Sequence, residues 1–230
     1  MLILSCDTSN STCCAGLYED DKELAYELSL ERKTHSETFM PLLDRVVKAS
    51  GKDYKDIEAI AVTTGPGSFT GIRIGLSAVK GLSYALDIPC IPVSSTKALA
   101  LSVENVIDSD ERTILVPAFD ARNNRVFASV RGGDGYSELI AEGAYDCDDL
   151  AGEIMKMPDV AGKTIILLGD GSEVLGKALT KAGAHFENAA GCAILPKGIN
   201  RAARGINPVS GAAVTATYCA VSSAERLRKQ

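Results

Sequence analysis

The chain has 230 residues, room for one large domain or two of about 100–130 residues each. Hydrophobic residues make up 46% and charged ones 23%, a globular balance that excludes wholesale disorder. The net charge of −6 argues against a stand-alone nucleic-acid binder, which needs clustered Lys and Arg, and two His limit any metal site held by this chain alone.

Leu2 to Cys6 reads as an apolar strand closed by Asp7, with a polar turn over Thr8–Ser11. Thr12–Tyr18 and Leu24–Leu30 complete a β-meander. Thr34 and Glu37 have capping-box spacing, and Phe39, Leu42, Leu43, Val46 and Val47 predict a helix over 39–50. Ile57–Thr63 is a buried strand, and the glycine-rich loop 65–71 opens a helix over 72–86. A strand at 88–93 and a helix at 96–103 follow. A polar run over 104–112 divides the chain into a lobe of residues 1–106 and a smaller lobe of 107–230. The second lobe reads as strands at 114–120 and 126–130, then a helix capped by Asp146 and reaching Met155. A strand at 164–168 and a helix at 172–182 come next, and the tail is read as a helix at 200–206 and a strand at 212–218. No repeat of 20–50 residues is visible. The order of the first lobe, β-β-β-α-β-α-β-α, implies an α/β fold with a mixed sheet flanked by helices.

Seven Cys without a CxxC pair predict reduced, mostly buried thiols and a cytoplasmic protein. No apolar run approaches the roughly 20 residues of a membrane span, and Met1 leads straight into a strand with no signal peptide.

Two loops are candidates for chemistry. Gly65, Gly67, Ser68, Thr70 and Gly71 follow a strand and open a helix, a setting that can present backbone N–H groups to a phosphate. The spacing is neither a Walker loop nor a dinucleotide fingerprint, and a turn that lets helix and strand pack closely explains the glycines equally. Asp7, Thr8 and Ser9 end the first strand; they can hold phosphate or hydrated Mg²⁺, or simply satisfy their own turn. His35 would need a second His at i+4 for a metal pair, and Phe39 stands there. The two helices carry wide or small-residue stripes, so a second contact surface is expected on them as well as a core face.

The blocks LILSCDTS (2–9), HSETFMPLLD (35–44), GPGSFTGIRIGLSAVKGL (65–82) and IPVSS (91–95) together resemble the TsaB (YeaZ) family of tRNA threonylcarbamoyladenosine biosynthesis. PAFDARNNRVFAS (117–129) and LGDGS (168–172) extend the likeness more loosely. The resemblance implies an actin-like ATPase (ribonuclease H-like) fold of two lobes, the second reduced. It implies a non-catalytic subunit that binds TsaD, the threonylcarbamoyl-transferring paralogue, alongside the ATPase TsaE, with tRNA contacted mainly through the complex. The partner surface, shared with a homodimer of the chain alone, is placed on the two helices at Phe39, Leu43, Val46, Val47, Leu76, Val79 and Ser83. The two loops become vestigial phosphate loops: the chain requires no cofactor and retains at most weak ATP or ADP binding, with ATP, Mg and metal expected on the partners. The alternatives are an active nucleotide-binding ATPase of the same superfamily and a glycoprotease-like peptidase.

Overall fold

The computed structural model describes residues 1–29, 35–103, 111–189 and 191–219. The N-terminal meander forms β1 (Leu2–Asp7), β2 (Cys13–Glu19) and β3 (Lys22–Ser29), antiparallel with Leu4 opposite Leu17 and Asp7 opposite Cys14. Helix α1 (His35–Ala49) follows; the cap expected at Thr34 lies outside the described residues. Then come β4 (Ala59–Gly65), α2 (Phe69–Leu86), β5 (Cys90–Ser94) and α3 (Ser95–Ser102). Helices separate these strands, so β4 pairs parallel to β1 and β5 parallel to β4. The sheet order is β3-β2-β1-β4-β5.

The second unit is built alike. It contains β6 (Thr113–Asp120), β7 (Arg125–Gly132), β8 (Glu138–Asp146), α4 (Cys147–Met155), β9 (Thr164–Leu168), α5 (Ser172–Lys181) and β10 (Phe186–Ala189). Its order, β10-β9-β6-β7-β8, is that of the first sheet read in the other direction. Strand β8, between the turn at 132–135 and the Asp146 cap, has no counterpart among the sequence expectations. Both sheets have five strands among the described residues, so the expected reduction of the second lobe does not lie in its sheet. Asp146 does cap α4, accepting from the Asp148 N–H.

The tail departs most from expectation. Helix α6 spans Pro196–Ala202 rather than 200–206, and Gly211–Ala213 is a 3₁₀ turn rather than part of a strand. Residues 193–216 group with the first unit, not with the lobe expected at 107–230. Close packing explains why: a Cβ on Gly198 would come within 2.3 Å of the Ala98 carbonyl, so α6 seats directly on α3. Cys14 Sγ reaches the Ile194 carbonyl, and Asn200 Nδ2 donates to the Asp20 carbonyl at 2.8 Å. The expected boundary at 106/107 falls among residues outside those described.

The two faces of the first sheet have different fillings. Leu4, Cys6, Leu17, Ile60 and Val62 meet the apolar stripes of α1 and α2 in one core. α3 and α6 cover the opposite face. The second unit has its own core, with Val116, Val126 and Leu167 of the sheet against Leu150 of α4 and Leu175 of α5. Burial raises the thiols of Cys6, Cys13, Cys14 and Cys147, the last to about 11, which keeps them protonated at neutral pH. No helix among the described residues is long and apolar enough to cross a membrane.

Candidate functional site

The motif residues of the first unit converge at the C-terminal ends of β1 and β4. Asp7 is fully buried, and its Oδ1 accepts from the Ser9 N–H at 3.0 Å, the Ser9 hydroxyl at 2.6 Å and the Thr63 hydroxyl. Its Oδ2 has no partner among the described residues. Burial pushes this carboxyl above its ordinary value, against the three donors, which favour the charged form. Ser95, at the start of α3, donates to the Ser9 hydroxyl at 3.1 Å.

The glycine loop lies directly on this turn. The Ser68 N–H donates to the Ser9 carbonyl at 2.7 Å, and the Thr8 hydroxyl donates to the Gly71 carbonyl at 2.8 Å. Ser68 caps α2, its hydroxyl accepting from the Gly71 N–H. A Cβ on Gly67 would stand 2.3 Å from the Ser9 carbonyl oxygen, and one on Gly71 would stand 2.1 Å from that of Thr8. The glycines are therefore required by the close approach of two backbones. Of the candidate phosphate-loop residues, Asp7, Thr8, Ser9, Gly67, Ser68 and Gly71 pack on one another, the close packing that explains the glycines equally. The N–H groups of Ser68, Gly71 and Ile72 have protein acceptors.

The helix residues assigned to a partner surface are also corrected. Phe39, Leu43, Val46 and Val47 of α1 and Leu76, Val79 and Ser83 of α2 are all buried. The six apolar ones belong to the core beneath the helices. Ser83 donates to the Ile88 carbonyl at 2.5 Å, closing the C-terminus of α2. The periodicity marked the inward stripe, since that is where the apolar residues recur.

The outward side of the same helices carries a groove that sequence reasoning did not resolve. Its cavity volume is about 510 Å³, and Met40, Phe69, Thr70, Arg73, Ile74 and Ala78 line it. Met40 is 41% exposed and Phe69 39%. Arg73 lies over the Phe69 ring at 3.6 Å from its centroid, a cation–π contact within the lining. Apolar Met40 and Phe69 standing beside polar Ser36 and Arg73 at the starts of the two helices were the available signal.

His35 does not stand in a metal set. Its Nε2–H donates to the Asn10 carbonyl at 2.5 Å. No group of three or more His, Cys, Asp or Glu suited to a metal occurs among the described residues. In the second unit the equivalent junction repeats the packing pattern. The Gly171 N–H donates to the Ala118 carbonyl at 3.0 Å, and the Asp120 N–H to Asp170 Oδ1 at 3.1 Å.

The sequence model of a family described as TsaD, tRNA N6-adenosine threonylcarbamoyltransferase, matches residues 29–230. Among curated proteins, the tRNA threonylcarbamoyladenosine biosynthesis protein TsaB of Haemophilus influenzae is 34% identical over 130 residues, covering 56% of this chain and 53% of its own. TsaB of Bacillus subtilis is 35% identical over 130 residues, covering 56% and 55%, and that of Escherichia coli 32% over 127 residues, covering 55% and 53%. The chain spans about half the length of the curated relatives it matches. Two solved structures from Pseudomonas aeruginosa are similar throughout. One, described as an uncharacterized protein with similarity to peptidase YeaZ, gives a TM-score of 0.82 at 21% identity over 95% of this chain and 99% of its own. The other, YeaZ, gives 0.79 at 22% identity over 94% and 99%. The fold is that of these two structures, two mixed sheets flanked by helices.

Proposed function

The chain belongs to the TsaD family, on its TsaB (YeaZ) branch, and from that membership we propose that it is a non-catalytic subunit in tRNA N6-threonylcarbamoyladenosine synthesis. Its task is to bind a TsaD protein and enable threonylcarbamoyl transfer to an adenosine near the anticodon. The observation that carries this reading is the exposed groove between α1 and α2, with Met40 and Phe69 at its surface. Large apolar side chains left at the surface around a concavity are what a protein partner buries. The same groove serves self-association when the chain is alone.

The packed glycine loop supports the further point that the chain works without a nucleotide of its own, ATP and metal belonging to TsaD and TsaE. The net charge of −6 supports a tRNA grip that lies mainly on the partners. The place of work is the cytoplasm, where tRNA and these partners meet.

Reconstitution of the modification reaction from purified TsaD, TsaE, tRNA and threonylcarbamoyl donor tests the reading. Omitting the chain is expected to abolish modification, and Met40→Asp to reduce it with the fold intact. Full modification without the chain would refute the proposal. Titration calorimetry of the isolated chain with Mg-ATP is expected to show no micromolar binding; hydrolysis that disappears in Asp7→Ala would favour an active ATPase instead.

A further inference from the structure

Four consecutive residues, Asp7 to Asn10, hold the starts of both helices that flank the groove. His35, in the first turn of α1, donates to the Asn10 carbonyl. Ser68, the cap of α2, donates its N–H to the Ser9 carbonyl. Thr8 grips α2 further along: its hydroxyl donates to the Gly71 carbonyl and lies 2.3 Å from where a Cβ on Gly75 would stand. Beneath the turn, Asp7 ties Ser9 to Thr63 of β4, and Ser95 ties Ser9 to α3. Three sequence blocks far apart in the chain thus meet on one turn. The groove begins immediately beyond these ties. Met40 lies five residues after His35, and Phe69 and Thr70 sit between the held residues Ser68 and Gly71.

We infer that the Asp7–Asn10 turn is a clasp that sets the spacing and register of α1 and α2, so that His35, Thr8 and Gly75 position the groove for a protein partner without touching it. The inference rests on the docking reading above. Interface cores pack as tightly as protein interiors. A gap of roughly 0.5–1 Å forfeits about a quarter to a half of a dispersion contact. A helix released at its first turn moves first the residues nearest that end, here Phe69, Thr70 and Met40. The clasp also accounts for the glycines at 67, 71 and 75 together, since a side chain at each would strike Ser9 or Thr8.

The test uses the full chain and a purified TsaD protein from the same organism. Affinity is read by titration calorimetry, and hydrogen exchange is read along α1, α2, β1 and β4. His35→Ala and Gly75→Ala are each expected to weaken binding about tenfold or more. Faster exchange should be confined to the first turns of α1 and α2, with β1 and β4 still protected. Thr8→Ala, which removes the tie to the Gly71 carbonyl, is expected to weaken binding likewise, and adding it to Gly75→Ala is expected to restore no affinity. Wild-type affinity in His35→Ala and Gly75→Ala, with binding lost in Met40→Asp, would overturn the clasp and leave the docking reading standing. Wild-type affinity in Met40→Asp would overturn the docking reading itself. Should Gly75→Ala not fold, His35→Ala decides by the same criterion.

Discussion

The contact between Gly75 and Thr8 can be tested for stability as a double-mutant cycle. An ideal Cβ on Gly75 lies 2.3 Å from Thr8 Oγ1, 3.5 Å from its Cβ and 3.6 Å from its Cγ2, so the hydroxyl alone excludes a methyl group. That hydroxyl cannot yield cheaply, because Thr8 is buried and the hydroxyl is bonded to the Gly71 carbonyl. Gly75→Ala therefore overpacks the site, at about 1–3 kcal/mol. It also displaces a hydrogen bond worth about 0.5–1.5 kcal/mol. Against this stands a gain of about 1 kcal/mol from replacing a mid-helix glycine by alanine. The net expectation is a loss of about 1–3 kcal/mol. In a Thr8→Ala background the clash is gone and only the helix gain remains, so the same change becomes neutral or stabilising by up to about 1 kcal/mol. Urea denaturation of the four proteins measures the coupling, and hydrogen exchange on α2 assigns it to the first unit. If Gly75→Ala costs the same in both backgrounds, within about 0.5 kcal/mol, Thr8 is not what excludes the methyl and the packing argument fails.

Asp7→Asn keeps an acceptor for Ser9 and Thr63 and is expected to change stability by less than about 1 kcal/mol at neutral pH, whereas Asp7→Ala strands those donors and costs about 2–4 kcal/mol; equal losses in urea titrations would refute this. Because burial raises the Asp7 carboxyl above 3.8, the folded state keeps a proton that the unfolded chain has released, so this group's contribution to stability falls as pH rises from about that value through its folded-state titration. The stability difference between wild type and Asp7→Asn should fall over that window, and a flat or rising difference would contradict it. Leu43→Glu and Val79→Glu are expected to unfold the first unit, since each places a charge in the core, while Met40→Asp leaves the melting temperature within a few degrees of wild type.

Local pattern was enough to place most elements. The strand at 164–168 has the boundaries expected, and Asp146 caps its helix as its position before an apolar stripe suggested. The groove residues were not legible, because a groove on the outer side of two helices is marked by only a few exposed apolar side chains among small and polar ones. Gly71 and Gly75 were visible as glycines, but what they face is carried by Thr8, more than 60 residues earlier, which no local pattern reports.

By itself the sequence determined the family, through motif blocks of specific order and spacing, and it determined the class of fold, because hydrophobic periods of 2 and 3.6 depend only on neighbours along the chain. Tertiary structure alone decided that the two units share one strand order despite no visible sequence repeat, since many different apolar sequences satisfy the same burial pattern. It alone returned residues 193–216 to the first unit, where Gly198 fits against Ala98. It also showed that the glycine loop packs on Thr8 and Ser9, because only the spatial approach of β1 to β4 shows what lies beside the backbone.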